Sequence, residues 1–381
     1  MRKSLAVLAA AVVLAVAAQA QDAVVQLLRA LTEAPGPPGY EEAVRKIMTE
    51  RMRPFADQIS YDGLGSVIAR QGASGPRIMV DAHMDELGGM VRRIRPDGFI
   101  SMQMLGAWLD QALPDQRWVI IGSHGPVPAI TGIWDAHIAP ANIRGLALPR
   151  GSLYLDTGAH NAAEVAALGI EPGDPVVPAA PFEIVAGNRY VAKAFDDRVG
   201  CAVMIEAMQR LAHRPHPNQI YYAATVQEEG SEDMRGAHTS AYLIHPDLGI
   251  GLEVGITRDQ PGTDPNASQE TLGGGPGTML YTFSELPNRK LWAWMKNLAA
   301  EEHIPLQPDF VPGFGDDTKA IQLSYGGVPV MNLLVPTRYT HAHNGMIDRA
   351  DFDRTVDLLV AALERLDAAS VAQIRSFAPA P

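Results

Sequence analysis

The chain has 381 residues, enough for about two domains with large cores, and its 47% hydrophobic and 19% charged content excludes a disordered polypeptide. A net charge of −12 argues against nucleic acid, whose phosphates the chain would repel. The single cysteine, Cys201, excludes an internal disulfide framework, so stability must come from the core, from metal and from subunit contacts.

Residues 1–20 read as an export signal. Arg2 and Lys3 precede an unbroken apolar run over residues 5–17, and Ala18-Gln19-Ala20 supplies the small-x-small text that signal peptidase cleaves. The run is shorter than the roughly 20 apolar residues of a membrane span. The expectation is therefore a signal peptide and an exported, periplasmic or secreted, protein without a membrane anchor. Val24, Leu27, Leu28 and Leu31 then fall at helical spacing, and the Pro- and Gly-rich text of residues 35–39 breaks it. A second helix is expected over residues 40–52. Ile78-Met79-Val80 reads as a short buried strand running into Asp81-Ala82-His83.

Over residues 91–183 the texture changes. Short β-type runs such as Trp118-Val119-Ile120-Ile121 alternate with Gly and Pro, which predicts a small β-rich domain inserted into the first. Helix and strand alternate again afterwards. Val199, Ala202, Val203, Glu206 and Arg210 mark an amphipathic helix, residues 220–226 a strand ending at Gln227-Glu228-Glu229, and residues 248–252 another ending at Glu253. Leu291, Met295, Leu298 and Ala299 mark a helix, residues 328–335 a strand leading toward His341, and Phe352, Val356, Leu359, Val360, Leu363 and Leu366 a closing helix. The alternation predicts an α/β catalytic domain, built from residues 21–90 and 184–381, with a mainly parallel sheet covered by helices on both faces.

His83, Glu228, Glu229, Glu253 and His341 each lie at or beyond the carboxyl end of an expected strand, where open α/β sheets bind ligands. Two histidines and three carboxylates from four segments thus reach one sheet edge. In His83-Met84-Asp85 the aspartate can take the second ring N–H of a metal-bound histidine, although a histidine after a strand is ordinary by itself. Asp196-Asp197 precedes the amphipathic helix: one carboxylate can bridge two ions, oriented by Asp197 and Arg198, or an aspartate can cap the helix, or both. The neighbours Glu228-Glu229 repel each other unless cations are near. One can bind a metal while the other acts as general base, with a solvated acidic loop as the plainer alternative. His341 and His343 are equal candidates on spacing alone. The glycines of residues 273–277 lack the context of a phosphate loop, and His124, His137 and His160 read as surface or structural residues.

At these positions the sequence resembles the M42 family of metallo-aminopeptidases, the group of glutamyl aminopeptidases and self-compartmentalised tetrahedral peptidases. The matching text includes Gly39-Tyr40-Glu41-Glu42, residues 81–88, residues 194–201, Thr225-Val226-Gln227-Glu228-Glu229, Asp317, and Thr337-Arg338-Tyr339 leading to His341. The resemblance implies a hydrolase with two divalent ions, zinc first and cobalt or manganese next. In it His83 is a ligand of one ion with Asp85 as its orienter, Asp196 bridges both, Glu228 is the general base, and Glu229 and His341 hold the second ion. Glu253 stands where the family usually has an aspartate ligand, and Asp317 would help to place the substrate's free amine. The inserted segment would be the family's PDZ-like or barrel-like assembly domain, and peptides with a free N-terminus and further copies of the chain would be the partners. A carboxypeptidase or deacylase on the same scaffold, an endoglucanase, and a metal-free binding protein are the competing classes.

Overall fold

The computed structural model of the chain describes residues 22–140 and 148–378. The expected signal segment lies outside the described residues. Asp22 caps the first described helix, Ala23–Glu33, by accepting the Val24 N–H at 2.8 Å. That helix buries Val24, Val25, Leu27, Leu28 and Leu31, the stripe that the sequence spacing predicts.

The large domain is organised by an eleven-stranded sheet. At its centre Gln219–Thr225, Arg77–His83, Leu248–Ile256 and Val330–Arg338 run side by side and parallel. Their side chains alternate between two packed faces. Ile78, Val80 and Ala82 enter the main core, which also holds the nearly wholly buried helix Phe195–Leu211 and the helix Arg349–Arg365. Met79 and Ala223 turn the other way, against Ala237 and Ala241 of the helix Arg235–Ile244 and Ile321 of the short helix Thr318–Gln322. Burial on both faces explains why these strands read as continuous apolar runs rather than alternating ones.

The sheet is mixed, and the expectation of a mainly parallel one is corrected at its flanks. Gln58–Tyr61 pairs antiparallel with Val67–Gln71, which in turn pairs antiparallel with Gln219–Thr225. On the far side Gly345–Asp348, Arg189–Ala192 and Glu183–Val185 add three more antiparallel strands. Where consecutive strands pair, as in Gln58–Tyr61 with Val67–Gln71, Glu183–Val185 with Arg189–Ala192 and Val330–Arg338 with Gly345–Asp348, the reason is connection length: a short turn can only return the chain antiparallel, whereas a parallel neighbour needs a crossover.

Between the strand Arg77–His83 and the second half of the sheet, six strands close a separate barrel that begins with Gly88–Ile94 and ends with Pro175–Pro178. It has its own core, with Val91, Ile100, Trp118, Ile120, Leu155 and Val176 inside. A helix of six residues, Ala162–Ala167, plugs it with Val165.

One tight turn ties an edge hairpin to the domain. Asp62 accepts the N–H groups of Leu64, Gly65 and Ser66 at 2.9, 2.7 and 2.9 Å and the Thr239 hydroxyl at 2.6 Å. Burial alone would raise the Asp62 pKa, but the bonds from Thr239 and Ser66 outweigh it and hold it below its ordinary value. A depressed carboxyl pKa adds stability above the unfolded value and loses it as pH falls through the folded one. Asp62→Ala is therefore expected to cost about 2–4 kcal/mol at neutral pH. Urea unfolding should show that gap closing below about pH 4; a pH-independent gap would contradict the assignment.

Candidate metal centre

The four central strands end on one edge, and the chemistry-bearing side chains stand there. His83 is the last residue of its strand, Glu253 lies near the end of the next, Glu228 and Glu229 follow Thr225, and His341 follows Arg338. Asp196 enters from the start of the helix Phe195–Leu211. Ala194, Gln227 and His341, which flank or belong to this set, hold φ angles of 55°, 60° and 57°. Left-handed backbone at residues with a Cβ costs on the order of 1–3 kcal/mol each and collects at functional sites.

Asp196 is the centre of the geometry. Its Oδ1 is 3.1 Å from Nε2 of His83 and its Oδ2 is 3.3 Å from Nε2 of His341. On the His83 side, Glu253 Oε2 stands 3.3 Å from the same ring nitrogen, while Glu253 Oε1 accepts its neighbour's Val254 N–H at 2.6 Å. On the His341 side, Glu229 Oε1 is 3.9 Å from the ring. Two donor sets share Asp196, His83 with Asp196 and Glu253, and His341 with Asp196 and Glu229, and a third joins His83 with Glu228 and Glu229; ligand atoms lie within 4.8 Å of one another in each. Glu228 Oε2 is 3.9 Å from His83 Nε2.

The tautomers are set from behind. His83 Nδ1 donates to the Asp85 carbonyl at 3.1 Å, and His341 Nδ1 donates to the Ala107 carbonyl at 2.9 Å. Each Nε2 is thereby turned toward the cluster, the nitrogen that must give up its proton to become a metal ligand. Burial raises the pKa of Glu253 to about 8 and of Glu229 to about 7, with the Asp196 charge adding to each. Burial works against a charged His341, but the hydrogen bond it donates to Asp196 and the Glu229 charge prevail and raise its pKa to about 10. Four carboxylates and two imidazoles can hold these positions only by retaining protons or by exchanging them for cations. The imidazole and carboxylate donors suit zinc-like ions, and Glu229 Oε1 is buried without a hydrogen-bond partner. The residues fit a pair of divalent ions.

Asp85 serves differently from a plain histidine orienter. Its carboxylate is 3.6 Å from His83 Nδ1, and its two oxygens accept the N–H groups of Glu228 and Glu229 at 3.0 Å each. One buried carboxylate therefore fixes the backbone of both glutamates. Asp197 caps its helix by accepting the Gly200 N–H at 3.0 Å. Arg198 does not orient Asp196: it is buried and donates to the carbonyls of Leu31, Ala34 and Gly36. Lys193 beside it reaches both Glu86 oxygens at 2.6 Å, a buried ion pair that adjacent sequence text does not reveal. Asp317 lies under the site, taking the Thr225 hydroxyl at 2.5 Å. Its burial, and not contact with the cleft, raises its pKa.

A cleft of about 780 Å³ opens from the cluster. Asp196, Glu228, Glu229, Glu253 and His341 form one end, and Met234, Val254, Ile256, Val311 and Phe314 line much of the remainder, with Ser231, Glu232 and Thr340 also on its walls. Asp317 is not among its walls.

The model of a family described as M42 glutamyl aminopeptidase matches residues 65–358, and a second model, AMPT, matches residues 22–48. The Escherichia coli K12 protein FrvX is 36% identical over 93% of this chain and 98% of its own length. The lysyl aminopeptidase of Pyrococcus furiosus is 31% identical over 90% and 97%. Among solved structures, a TET aminopeptidase from a marine-sediment thaumarchaeon superposes with a TM-score of 0.89 at 36% identity, covering 92% of this chain and 98% of its own. The Pyrococcus horikoshii TET1 peptidase, described as assembling into a tetrahedron or an octahedral shell, gives 0.82 at 26% identity over 90% and 100%. These matches correct the expectation of a signal peptide. The family text starts at residue 22, and relatives are matched over nearly their whole length while a tenth of this chain lacks a counterpart.

Asp85→Asn leaves one acceptor for two amide donors. Activity is expected to fall about 10–100-fold, the usual effect of losing a group that orients ligands, with circular dichroism unchanged. Undiminished kcat/KM would mean that the glutamate pair holds its place unaided.

Proposed function

Because the chain belongs to the M42 family of peptidases and is a peptide-bond hydrolase, we propose that it is a two-ion aminopeptidase that removes the N-terminal residue of peptides. The observation that carries this reading is Asp196, whose two carboxylate oxygens face two histidines on separate strands' ends. His83, Asp196 and Glu253 would hold one ion, and Asp196, Glu229 and His341 the other. Such ions supply polarisation of the scissile carbonyl and acidification of water, zinc fitting the donors best with cobalt or manganese next.

The chain's own residues supply the rest. Glu228 stands 3.9 Å from His83 and belongs to neither of the two groups that contain Asp196, which suits a base that takes a proton from the attacking water and returns it to the leaving amine. Asp85 keeps Glu228 in that position through its amide. Met234, Val254, Ile256, Val311 and Phe314 offer an apolar wall to the side chain being read. Asp317 is better placed to hold the floor than the substrate.

The cleft also bears on the alternatives. No lysine or arginine lines it among the described residues, so a C-terminal carboxylate would find no partner there, which disfavours a carboxypeptidase. The same feature bears on preference, since relatives are described as glutamyl and lysyl enzymes. An acidic side chain would be buried unpaired, at a cost above the about 1–3 kcal/mol of a neutral polar group, whereas an apolar one meets Val254, Ile256, Val311 and Phe314. Exposed Phe283, Leu286 and Phe310 agree with a homo-oligomer of the kind its relatives form, assembled in part through the barrel.

Two measurements test this reading. Glu228→Gln should retain both ions and lose about 10²–10⁴-fold in kcat, whereas Glu229→Gln should weaken or lose one ion together with activity. Normal turnover by Glu228→Gln, or equal metal loss in both variants, would overturn the roles. On aminoacyl p-nitroanilides, leucyl or methionyl substrates should exceed the glutamyl one in kcat/KM by about 10-fold or more, from the unpaired-charge cost; a faster glutamyl substrate would refute the apolar preference.

A further inference from the structure

His341 stands on a weakly supported loop. The last strand ends at Arg338, and the next, Gly345–Asp348, begins only beyond the histidine pair. The loop's hold comes from the other domain. The Ala107 carbonyl accepts from His341 Nδ1 at 2.9 Å, and the Leu109 N–H donates to the His341 carbonyl at 3.4 Å. Both belong to the stretch that leaves the barrel strand Ile100–Leu105.

Two residues further on, the His343 ring is inserted into the barrel's own aromatic core. It is 4% exposed, with its centroid 4.4 Å from that of Trp118 at 80° and 5.4 Å from that of Trp108 at 50°. The two indoles are themselves 5.3 Å apart. Both are fixed by their N–H groups, Trp118 to the Thr131 hydroxyl at 3.2 Å and Trp108 to the Gly88 and Leu105 carbonyls at 3.0 Å each. The connecting stretch passes directly over the second donor set. At Gly106, φ is 87°, and a Cβ would come within 2.0 Å of Leu87 and 3.2 Å of Glu229 Oε2.

We infer that the barrel supports the metal centre: Trp108 and Trp118 clamp His343, and this clamp positions His341, so that barrel packing sets the affinity of the ion site made by His341, Glu229 and Asp196. The inference rests on the two-ion reading above. His343 is a positioning residue. It belongs to neither donor set, and its ring nitrogens have no hydrogen-bond partner of good geometry, so edge-to-face packing is what it contributes. The His83 site draws no atom from the barrel and should be indifferent to the clamp. Linkage makes the effect reciprocal: an ion bound at the His341 site must tighten the contact between loop and barrel.

The test uses the full-length protein stripped of metal and titrated with zinc, with stoichiometry read by calorimetry and elemental analysis. The unaltered chain should bind two ions. His343→Ala should keep one tight ion and bind the other about 10–100-fold more weakly, with kcat restored by excess zinc. His343→Phe keeps the ring without the nitrogens and should behave as the unaltered chain. Should alanine unfold the protein, His343→Leu should give a smaller but equally site-selective loss. Two equally tight ions in His343→Ala, or a loss shared by both sites, would overturn the clamp, as would failure of a folded His343→Phe to rescue. Fewer than two ions in the unaltered chain would instead overturn the two-ion reading itself.

Discussion

Carboxylates do not sit together in a buried cleft without a counter-charge, and this constraint governs the molecule. Asp196, Glu228, Glu229 and Glu253 converge on the ends of parallel strands with only His83 and His341 between them. Everything around them resists their mutual repulsion. Asp85 takes two amide donors so that the glutamates cannot move apart, while the neighbouring Lys193–Glu86 pair and Arg198 lock the segment over residues 31–36 onto the same edge. Left-handed backbone at Ala194, Gln227 and His341 turns the chain sharply where each ligand-bearing segment leaves its strand or enters its helix. The arrangement spends folding stability on a site that cations complete.

Much of this was legible in the sequence because strand ends and ligands coincide. The apolar runs leading to His83, Glu228 and Glu253 are strands buried on both faces, and their carboxyl ends had to lie on one edge once the strands were parallel. The antiparallel flanks were harder to see. Strands such as Gln58–Tyr61 are short and half exposed, with no apolar run to announce them. Contacts between distant segments were illegible for a different reason. Asp85 appears beside His83 in sequence, yet its oxygens serve amides more than 140 residues away. Nothing in the spacing of His341 and His343 tells ligand from anchor, because the distinction is made by two tryptophans in another domain. Asp317 carried the family's text but lies beneath the cleft, where only the packing of Thr225 reveals its place.

The barrel thereby acquires a second meaning. An inserted domain used only for assembly could be hinged freely on the sheet, but here the Gly106–Leu109 stretch touches the second donor set and holds its histidine. Glu253 fits the picture from the opposite side. One of its oxygens reaches His83 while the other is tied back to its own strand at Val254.

The central claim is that Asp196 lies between two ions held by different histidines. Anomalous diffraction from crystals soaked in zinc tests it most directly. Two peaks are expected, one contacting His83 and Glu253 and the other His341 and Glu229, with an Asp196 oxygen on each. A single peak, or two peaks that Asp196 does not join, would contradict the account.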